Sequence, residues 1–344
     1  MTPVPKPEHI RAFLIINPGA RNGTRLNDLL QAEDYLRSQG WEVTHGHSQY
    51  PGHTRALARQ AVEEGYNAVI VAGGDGSIGH AADSLAGTDV ALGIIPAGTG
   101  NILARDLGLP LPSPFMPNSF LEAARILAHA DWYRVDVGVM QDSKDHTHRF
   151  LNWCGTGLDA AITLKVEYNL EEKRRWGMAA YVLPTVQTAL NYQPPQWQII
   201  LDEKEQVEGP FYLVVINNVQ LYAAFLRLAP NAYMDDGWLD IALIQAQNFQ
   251  EFLRIMSHIL VFKRPGEQEV LVRRIRSAKI EASPDQPVHL DGDPYTRTPI
   301  HVWVEHQNLI LMVPSGPRLP RHLLRDAAPI AETVSEEEQH IWSL

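Results

Sequence analysis

Two short glycine-rich segments hold the residues best suited to chemistry. In Gly73-Gly74-Asp75-Gly76-Ser77 a carboxylate sits among glycines directly after an apolar run. Glycines let a backbone approach a polyphosphate without Cβ clashes. The N–H groups opening the next helix then point at the phosphates. Asp75 places a carboxylate where Mg2+ or a substrate hydroxyl would sit. Alone, the segment also reads as a tight turn with a helix cap, and it has neither the Walker A spacing nor the dinucleotide-binding pattern. Pro96-Ala97-Gly98-Thr99-Gly100-Asn101 repeats the arrangement one strand later. Thr99 can donate its hydroxyl to a phosphate, and Asn101 can cap the next helix or hold a nucleotide. Two such loops on neighbouring strands frame one cleft, which favours phosphate binding over capping alone.

The elements around these loops follow a strand–loop–helix rhythm. Ala12–Ile16, Ala68–Ala72 and Ala91–Ile95 are short apolar runs, and Trp41–Thr44 reads as a further short strand. Leu26–Leu36 has helical spacing, with Leu26, Leu29, Leu30 and Leu36 along one side, and Gly52–Glu64 and Ile78–Leu85 also read as helices. Fully apolar strands suit a parallel sheet covered by helices on both faces, and ligands of such folds bind beyond the carboxyl ends of the strands. Proline-rich Leu109–Pro117 reads as a hinge, and Ser119 with Glu122 as a capping box. After Trp132 short β runs dominate, at Tyr133–Met140, Arg149–Trp153, Trp197–Leu201, Tyr212–Ile216, Leu239–Ile244, Lys279–Glu281, Val288–Leu290, Ile300–Val304 and Leu309–Val313. A helix spans Asn248–Phe262, with Asn248 and Glu251 as a second capping box. The expected fold is an α/β nucleotide-binding domain with a parallel sheet over residues 8–132. A mainly antiparallel β-sandwich follows over 133–314, whose last strands can return to the first domain, and then a flexible tail over 315–344.

Composition narrows the function. Forty acids against twenty-nine bases give a net charge of −11, which argues against a nucleic-acid partner. It also opposes strong adhesion to an anionic membrane, so lipid contact should be local. The single cysteine, Cys154, forms no intrachain disulfide, fits a reducing cytoplasm, and reads as a small buried apolar residue. The first eleven residues carry three prolines and no apolar stretch of the secretory type. Trp176–Leu201 has no charged residue, yet Pro184, Pro194 and Pro195 argue against a spanning helix. The expectation is a cytoplasmic protein, peripheral at the membrane.

Taken together, the motifs resemble the diacylglycerol-kinase catalytic family, which includes bacterial lipid kinases and the sphingosine and ceramide kinases. Asn17-Pro18 with Gly23 resembles the family's first nucleotide loop, and Ser48 stands where an ATP-contacting Thr is usual. Gly73–Gly79 resembles the GGDGT loop with Ser77 in place of Thr, and Thr99 matches the threonine of the second loop. Gly157-Leu158-Asp159-Ala160, Ala229-Pro230-Asn231-Ala232, Asp235–Asp240 and Asp291-Gly292-Asp293 resemble the later elements, in family order. The resemblance implies two domains with the active site between them, Mg-ATP as donor and a lipid hydroxyl as acceptor. It implies that Gly73, Gly74, Asp75, Gly76, Ser77, Gly98, Thr99, Asn17 and Ser48 bind ATP. It places Asp293 where the family has its base, normally Glu, so that the shorter reach must be restored by backbone placement or a water. Asp75 is the rival base, and Asp159 organises the acceptor or caps a helix. A structural Mg2+ site would use Asp236 and the Trp238 carbonyl, with Asp235 or a water standing in for Tyr233, a poor ligand; the segment also reads as a turn with no metal. The usual Asn-Glu after the GGDGT loop is replaced by Gly79-His80. Relatives form dimers, and a homodimer stays open here.

Two other readings stay open: a kinase for a soluble acceptor such as NAD, and a non-catalytic nucleotide or lipid binder. The run Lys173-Arg174-Arg175-Trp176 suits either a membrane interface with anionic headgroups or a solvated helix face.

Overall fold

The computed structural model describes residues 3–20, 25–50, 52–168, 188–222, 226–262, 266 and 270–325, with backbone alone for 166–168. Gly23, the basic run at 173–176 and the chain after 325 lie outside the described residues. Four parallel strands open the fold: β1 (Arg11–Ile16), β2 (Glu42–His47), β3 (Ala68–Gly73) and β4 (Ala91–Pro96), in the order β4-β3-β1-β2. Strand periodicity sorts their apolar residues to two faces. Phe13, Ile15, Val69 and Val71 pack against α2 (His53–Glu63) and α3 (Asp75–Leu85). Ala12, Leu14, Ile16 and Ile70 pack against α1 (Leu26–Ser38) and α5 (Ser119–His129). Helices on both faces explain why β3 and β4 are apolar throughout, while the edge strand β2 carries Glu42, Thr44, His45 and His47 and is mostly exposed. The short α4 (Ile102–Asp106) follows β4, and 109–117 joins α4 to α5.

The second half is mainly antiparallel. β5 (Asp131–Asp142), β6 (Thr147–Phe150), β7 (Trp153–Gly157), β8 (Gln196–Leu201) and β9 (Glu205–Asn217) are followed by the small β10 (Leu221–Tyr222) and β11 (Leu226–Arg227) pair. Then come β12 (Leu239–Gln245), β13 (Val270–Ile275), β14 (Ser277–Ser283), β15 (Pro287–Leu290), β16 (Asp293–Arg297) and β17 (Ile300–Val313). Among the described residues, α6 (Leu158–Tyr168) and α7 (Phe249–Phe262) interrupt them, with a short helical stretch at 188–191. β9 serves both layers: Glu205–Pro210 pair with β8, and Phe211–Asn217 pair with β12. Between the layers lie Phe150, Trp197, Ile199, Phe211, Ile216, Ile241 and Ile280. β17 pairs antiparallel with β5 and runs parallel beside β4.

Several local expectations need correction. α1 turns Leu29, Ala32, Glu33 and Leu36 inward, while Leu26 and Leu30 are exposed; the buried Glu33 carboxylate is held by Arg37 and by His45 at 2.9 Å. Ser119 and Glu122 form no capping box: Asn118 takes the cap position, the Ser119 hydroxyl is buried without a partner, and Glu122 pairs with Arg125 at 2.7 Å. Asn248 does cap α7, accepting the Glu251 N–H at 2.9 Å, while the Glu251 carboxylate reaches back to the Gln247 N–H. Ile300–Val304 and Leu309–Val313 are one strand with a register shift between Glu305 and Leu309. The chain beyond 315 stays packed as far as Arg325: Leu323 and Leu324 are buried, and His322 bonds Asp106 at 2.9 Å. Among the described residues no helix is long and apolar enough to cross a membrane.

Candidate active site

The two glycine loops meet backbone to backbone at the carboxyl ends of β3 and β4. A Cβ added to Gly98 would lie 2.5 Å from the Gly74 Cα, closer than real side chains come. α3 begins at Asp75 rather than at Ile78, with Gly74 as its extended N-cap, so Asp75, Gly76 and Ser77 form the first helical turn. Their N–H groups therefore belong to the positive end of the helix dipole. Asn17 donates its side-chain amide to the Ser77 hydroxyl at 2.7 Å and accepts the Gly19 N–H at 2.9 Å, tying the first loop to α3. Asn101 occupies the N-cap position of α4, but its side chain makes no cap bond there. Its backbone is left-handed (φ 49°), and its amide closes the second loop on itself, bonding the Gly98 N–H and carbonyl at 2.9 Å each.

A cleft of about 580 Å³ lies over these loops, within the usual range for small-molecule sites. Of the residues expected at a nucleotide, Asn17, Ser48, Gly74, Gly76, Ser77, Gly98 and Thr99 line it, and so does Asp293. Gly73 and Asp75 do not line it. Gly73 lies behind Ser77, where a Cβ would meet the Ser77 Cβ at 2.8 Å. Asp75 spans from α3 to α4, its Oδ1 accepting the Ile102 N–H at 2.7 Å. Burial pushes its carboxyl above the ordinary range, while backbone N–H donors at the start of α4 pull it down. The position is that of a clamp between the two loops. Gln49, Tyr50 and Thr54, which no motif marks in the sequence, also line the cleft, and so does His80, at the departure from the family's Asn-Glu.

Asp293 arrives from the other half of the chain. The turn before it has Asp291 (φ 51°) and Gly292 (φ 95°) in left-handed backbone. Asp291 anchors that turn by accepting N–H bonds from Leu151, Asn152 and Trp153 at 2.9, 2.8 and 3.0 Å. Burial pushes its carboxyl up to about 7 even though these donors favour the charged form. The turn lays Asp293 against α3: a Cβ on Gly76 would sit 2.2 Å from its Oδ2. Backbone placement thus brings the shorter Asp side chain to the glycine loop.

Asp159 lies in the first turn of α6, and it does not line the cleft. Its carboxylate accepts the Tyr222 hydroxyl at 2.6 Å, meets His289 Nε2 at 2.7 Å and accepts the Ala160 N–H at 2.7 Å. It is thus more than a helix cap. Burial drives the Tyr222 phenol well above its ordinary value, with Asp159 adding to the shift. Tyr222 and His289 lie 63 and 130 residues from Asp159, so no local pattern announces them. Burial also drives the Cys154 thiol upward, with Asp159 and Asp291 adding to it, in keeping with an unreactive core residue.

The residues offered for a structural Mg2+ are arranged differently. Asp236 is bonded by Arg274, has Arg325 at 3.6 Å, and accepts the Trp238 N–H at 3.1 Å. Asp235 is buried and accepts the Arg325 N–H at 2.7 Å. Arg274 and Arg276 both lie over the Trp238 ring. Two guanidinium groups supply the positive charge, and the donor set of Asp236, Trp238 and Asp235 does not fit a cation. Among the described residues no group of three His, Cys, Asp or Glu side chains is placed to hold a metal. Nearby, the fully buried Asp136 accepts bonds from His306, Gln307 and Gly237 and ties β5 to β17 and to this turn. Arg274→Gln is expected to destabilise the fold by about 1–3 kcal/mol, since the Asp236 side chain is 5% exposed and loses its nearer counter-ion. Urea unfolding checks this, and the wild-type midpoint is expected not to move when Mg2+ is replaced by a chelator.

The diacylglycerol kinase catalytic domain family matches residues 11–140, and the YegS C-terminal NAD kinase beta sandwich-like domain matches residues 152–313. A diacylglycerol kinase of Mycobacterium tuberculosis is 30% identical over 281 residues, covering 81% of this chain and 87% of that protein. A YegS-like lipid kinase of Chromohalobacter salexigens is 29% identical over 315 residues, covering 90% and 95%. In fold, the chain is similar to a solved structure of a diacylglycerol kinase from Bacillus anthracis, with a TM-score of 0.66 at 21% identity, covering 91% of this chain and 100% of that one. With the paired glycine loops, the carboxylate laid against them and these relatives along most of its length, the chain belongs to the diacylglycerol kinase family of lipid kinases, phosphotransferases with an alcohol group as acceptor.

Proposed function

We propose that the protein transfers the γ-phosphoryl group of Mg-ATP to the hydroxyl of diacylglycerol or a related lipid, at the cytoplasmic surface of a membrane. The observation that carries this reading is Asp293, a carboxylate placed against Gly76 in the cleft that the two glycine loops line. The phosphates lie on the α3 N-terminus, cradled by Gly74, Gly76, Ser77, Gly98 and Thr99, with Asn17 and Ser48 on the nucleotide side. Mg2+ bound to the triphosphate would neutralise its oxygens. Asp293 takes the proton from the lipid hydroxyl, and the hydroxyl oxygen bonds the γ-phosphorus. The bond from phosphorus to the β–γ bridging oxygen breaks, and ADP leaves. Asp75 holds the loops in register. Asp159, oriented by Tyr222 and His289, orders the acceptor side.

The test is transfer of labelled γ-phosphate to a panel of lipids in mixed micelles, with NAD and sugar phosphates beside them. Label in one lipid supports the reading. Label in NAD or a sugar phosphate moves the protein to a soluble acceptor, and ATP binding without any product makes it a binding module.

The membrane contact is assigned to α7. It buries Phe252, Ile255 and Ile259, yet Leu253, Leu260, Val261 and Phe262 are 48%, 49%, 69% and 59% exposed. Lys263 and Arg264 follow directly in sequence. Apolar side chains ending in a basic pair suit an interface with anionic headgroups, a local attraction in a chain of net charge −11. The inner face of α7 packs on a row of aromatic rings: Phe252 stacks on Tyr212 at 5.5 Å, and Tyr212 meets Tyr192 at 5.7 Å. Leu253→Gln with Val261→Gln is expected to weaken binding to diacylglycerol-containing anionic vesicles, read by co-sedimentation, roughly 30- to 150-fold, by removing roughly 2–3 kcal/mol of apolar contact. Transfer to a short-chain soluble acceptor is expected to persist. Unchanged sedimentation would place the docking surface elsewhere.

A further inference from the structure

Among the described residues, the cleft that would take the triphosphate is short of positive charge. Among the described residues lining it there is no lysine and no arginine; His80 is the one side chain able to become cationic, and Asp293 is the one carboxylate. Arg25 and Arg105 border a separate cavity that shares only Gly98 and Thr99 with the cleft. Arg25 is paired with Asp28 at 2.6 Å, and Arg105 donates to the Gly100 carbonyl at 2.9 Å. A helix N-terminus carries only a fraction of a charge.

His80 is placed to fill this gap. It lies on α3 one turn beyond Gly76, and residues four apart share a helix face. Side chains on a helix lean toward its N-terminus, so the imidazole leans toward the phosphate-cradling turn, where Asp293 lies against Gly76. We propose that His80 is a ligand of the nucleotide's phosphates that takes up a proton as they bind, making nucleotide affinity proton-linked. This rests on the reading of the cleft as an ATP site.

The neighbours set the free state. His80 faces Arg55 from α2, Asp83 from α3 and His148 from β6. Arg55 pairs with Asp83 at 3.0 Å, and Arg149 shares Asp83 at 3.5 Å. Tyr295, on β16 with Asp293, packs on the His148 ring at 4.8 Å and bonds Arg55. Burial holds His80 below the ordinary histidine range, Arg55 and His148 push the same way, and Asp83 opposes them. The free protein therefore has a neutral His80 at neutral pH. A bound polyanion favours the charged form and raises the pKa. Between the free and bound values, binding takes up a proton. Affinity is full below the free value and falls as pH rises toward the bound one, by up to about tenfold per pH unit.

The experiment is titration calorimetry of the full chain with a non-hydrolysable ATP analogue and Mg2+ at neutral pH, in two buffers of different ionisation enthalpy. The wild type is expected to take up on the order of half to one proton per nucleotide. His80→Gln keeps a hydrogen-bonding amide without the charge; it is expected to take up none and to bind about tenfold more weakly at slightly acid pH. His80→Arg carries a fixed charge and is expected to bind without uptake and with little dependence on pH. Unchanged unfolding midpoints separate these effects from misfolding. Wild-type binding with no proton uptake, or His80→Gln matching wild type in affinity and uptake, overturns the proposal while the ATP site stands. Failure of the wild type to bind the analogue overturns the ATP reading itself.

Discussion

Asp293→Asn is expected to lower kcat/KM for phosphoryl transfer by about 10³-fold, the usual contribution of a positioned general base. Nucleotide binding is expected to stay within a fewfold of wild type, because Asp293 bears on the acceptor's proton rather than on the glycine cradle. The amide occupies nearly the same volume against Gly76, so the fold should survive; thermal unfolding checks this beside the kinetics. Asp293→Glu is the informative companion. The Asp carboxylate already lies where a Cβ on Gly76 would be, at 2.2 Å, so a longer side chain must swing aside. Activity between wild type and the Asn variant is expected. Gly76→Ala presses on the same carboxylate from the other side, and it is expected to reduce transfer more than nucleotide affinity.

Gly98→Ala is expected to abolish nucleotide binding, with affinity falling at least ~100-fold, and to cost about 1–3 kcal/mol of stability, the usual cost of forced overpacking. The added Cβ would meet the Gly74 Cα at 2.5 Å and the Asn101 Oδ1 at 2.9 Å. Neither neighbour can yield freely. Gly74 is backbone at the N-cap of α3, and the Asn101 side chain is bonded at both ends to Gly98. The two loops must separate, which tilts the α3 N-terminus away from the phosphates and breaks the Asp75 link to α4. Calorimetric titration with ATP and urea unfolding read the two effects. A variant that binds ATP as wild type does would show that the close loop contact is not required.

What the sequence disclosed and what it hid divide along a physical line. The parallel sheet was readable because strands covered on both faces are apolar at every position, as in Ala68–Gly73 and Ala91–Pro96. The cradle was readable because glycine itself is the signal where backbones must approach closely. The strand Val270–Ile275 escaped notice because it pairs with β12 alone and carries Arg273 and Arg274, so its pattern does not alternate. Asp293–Arg297 was hidden by Pro294 and its polar side chains. α1 misled because Leu26 and Leu30 remain exposed while a charged residue, Glu33, goes inward to meet Arg37 and His45. The part of the site that sequence could not show consists of partners distant along the chain: Asp75 with Ile102, Asp159 with His289, Asp236 with Arg274. Each motif supplied one member of a pair, and the fold chose the other. The Asp236 turn shows the consequence, since the side chain offered to a metal is met by arginines that no local motif places there.

The most direct test of the account is a single-turnover measurement on Asp293→Asn. Protein saturated with γ-labelled Mg-ATP is mixed rapidly with diacylglycerol micelles, and labelled lipid is followed against wild type. The account predicts that wild type converts its bound ATP to labelled lipid, while the variant holds the same nucleotide and forms product about 10³-fold more slowly. Product formed by the variant at the wild-type rate would contradict the claim that Asp293, laid against Gly76, takes the acceptor's proton.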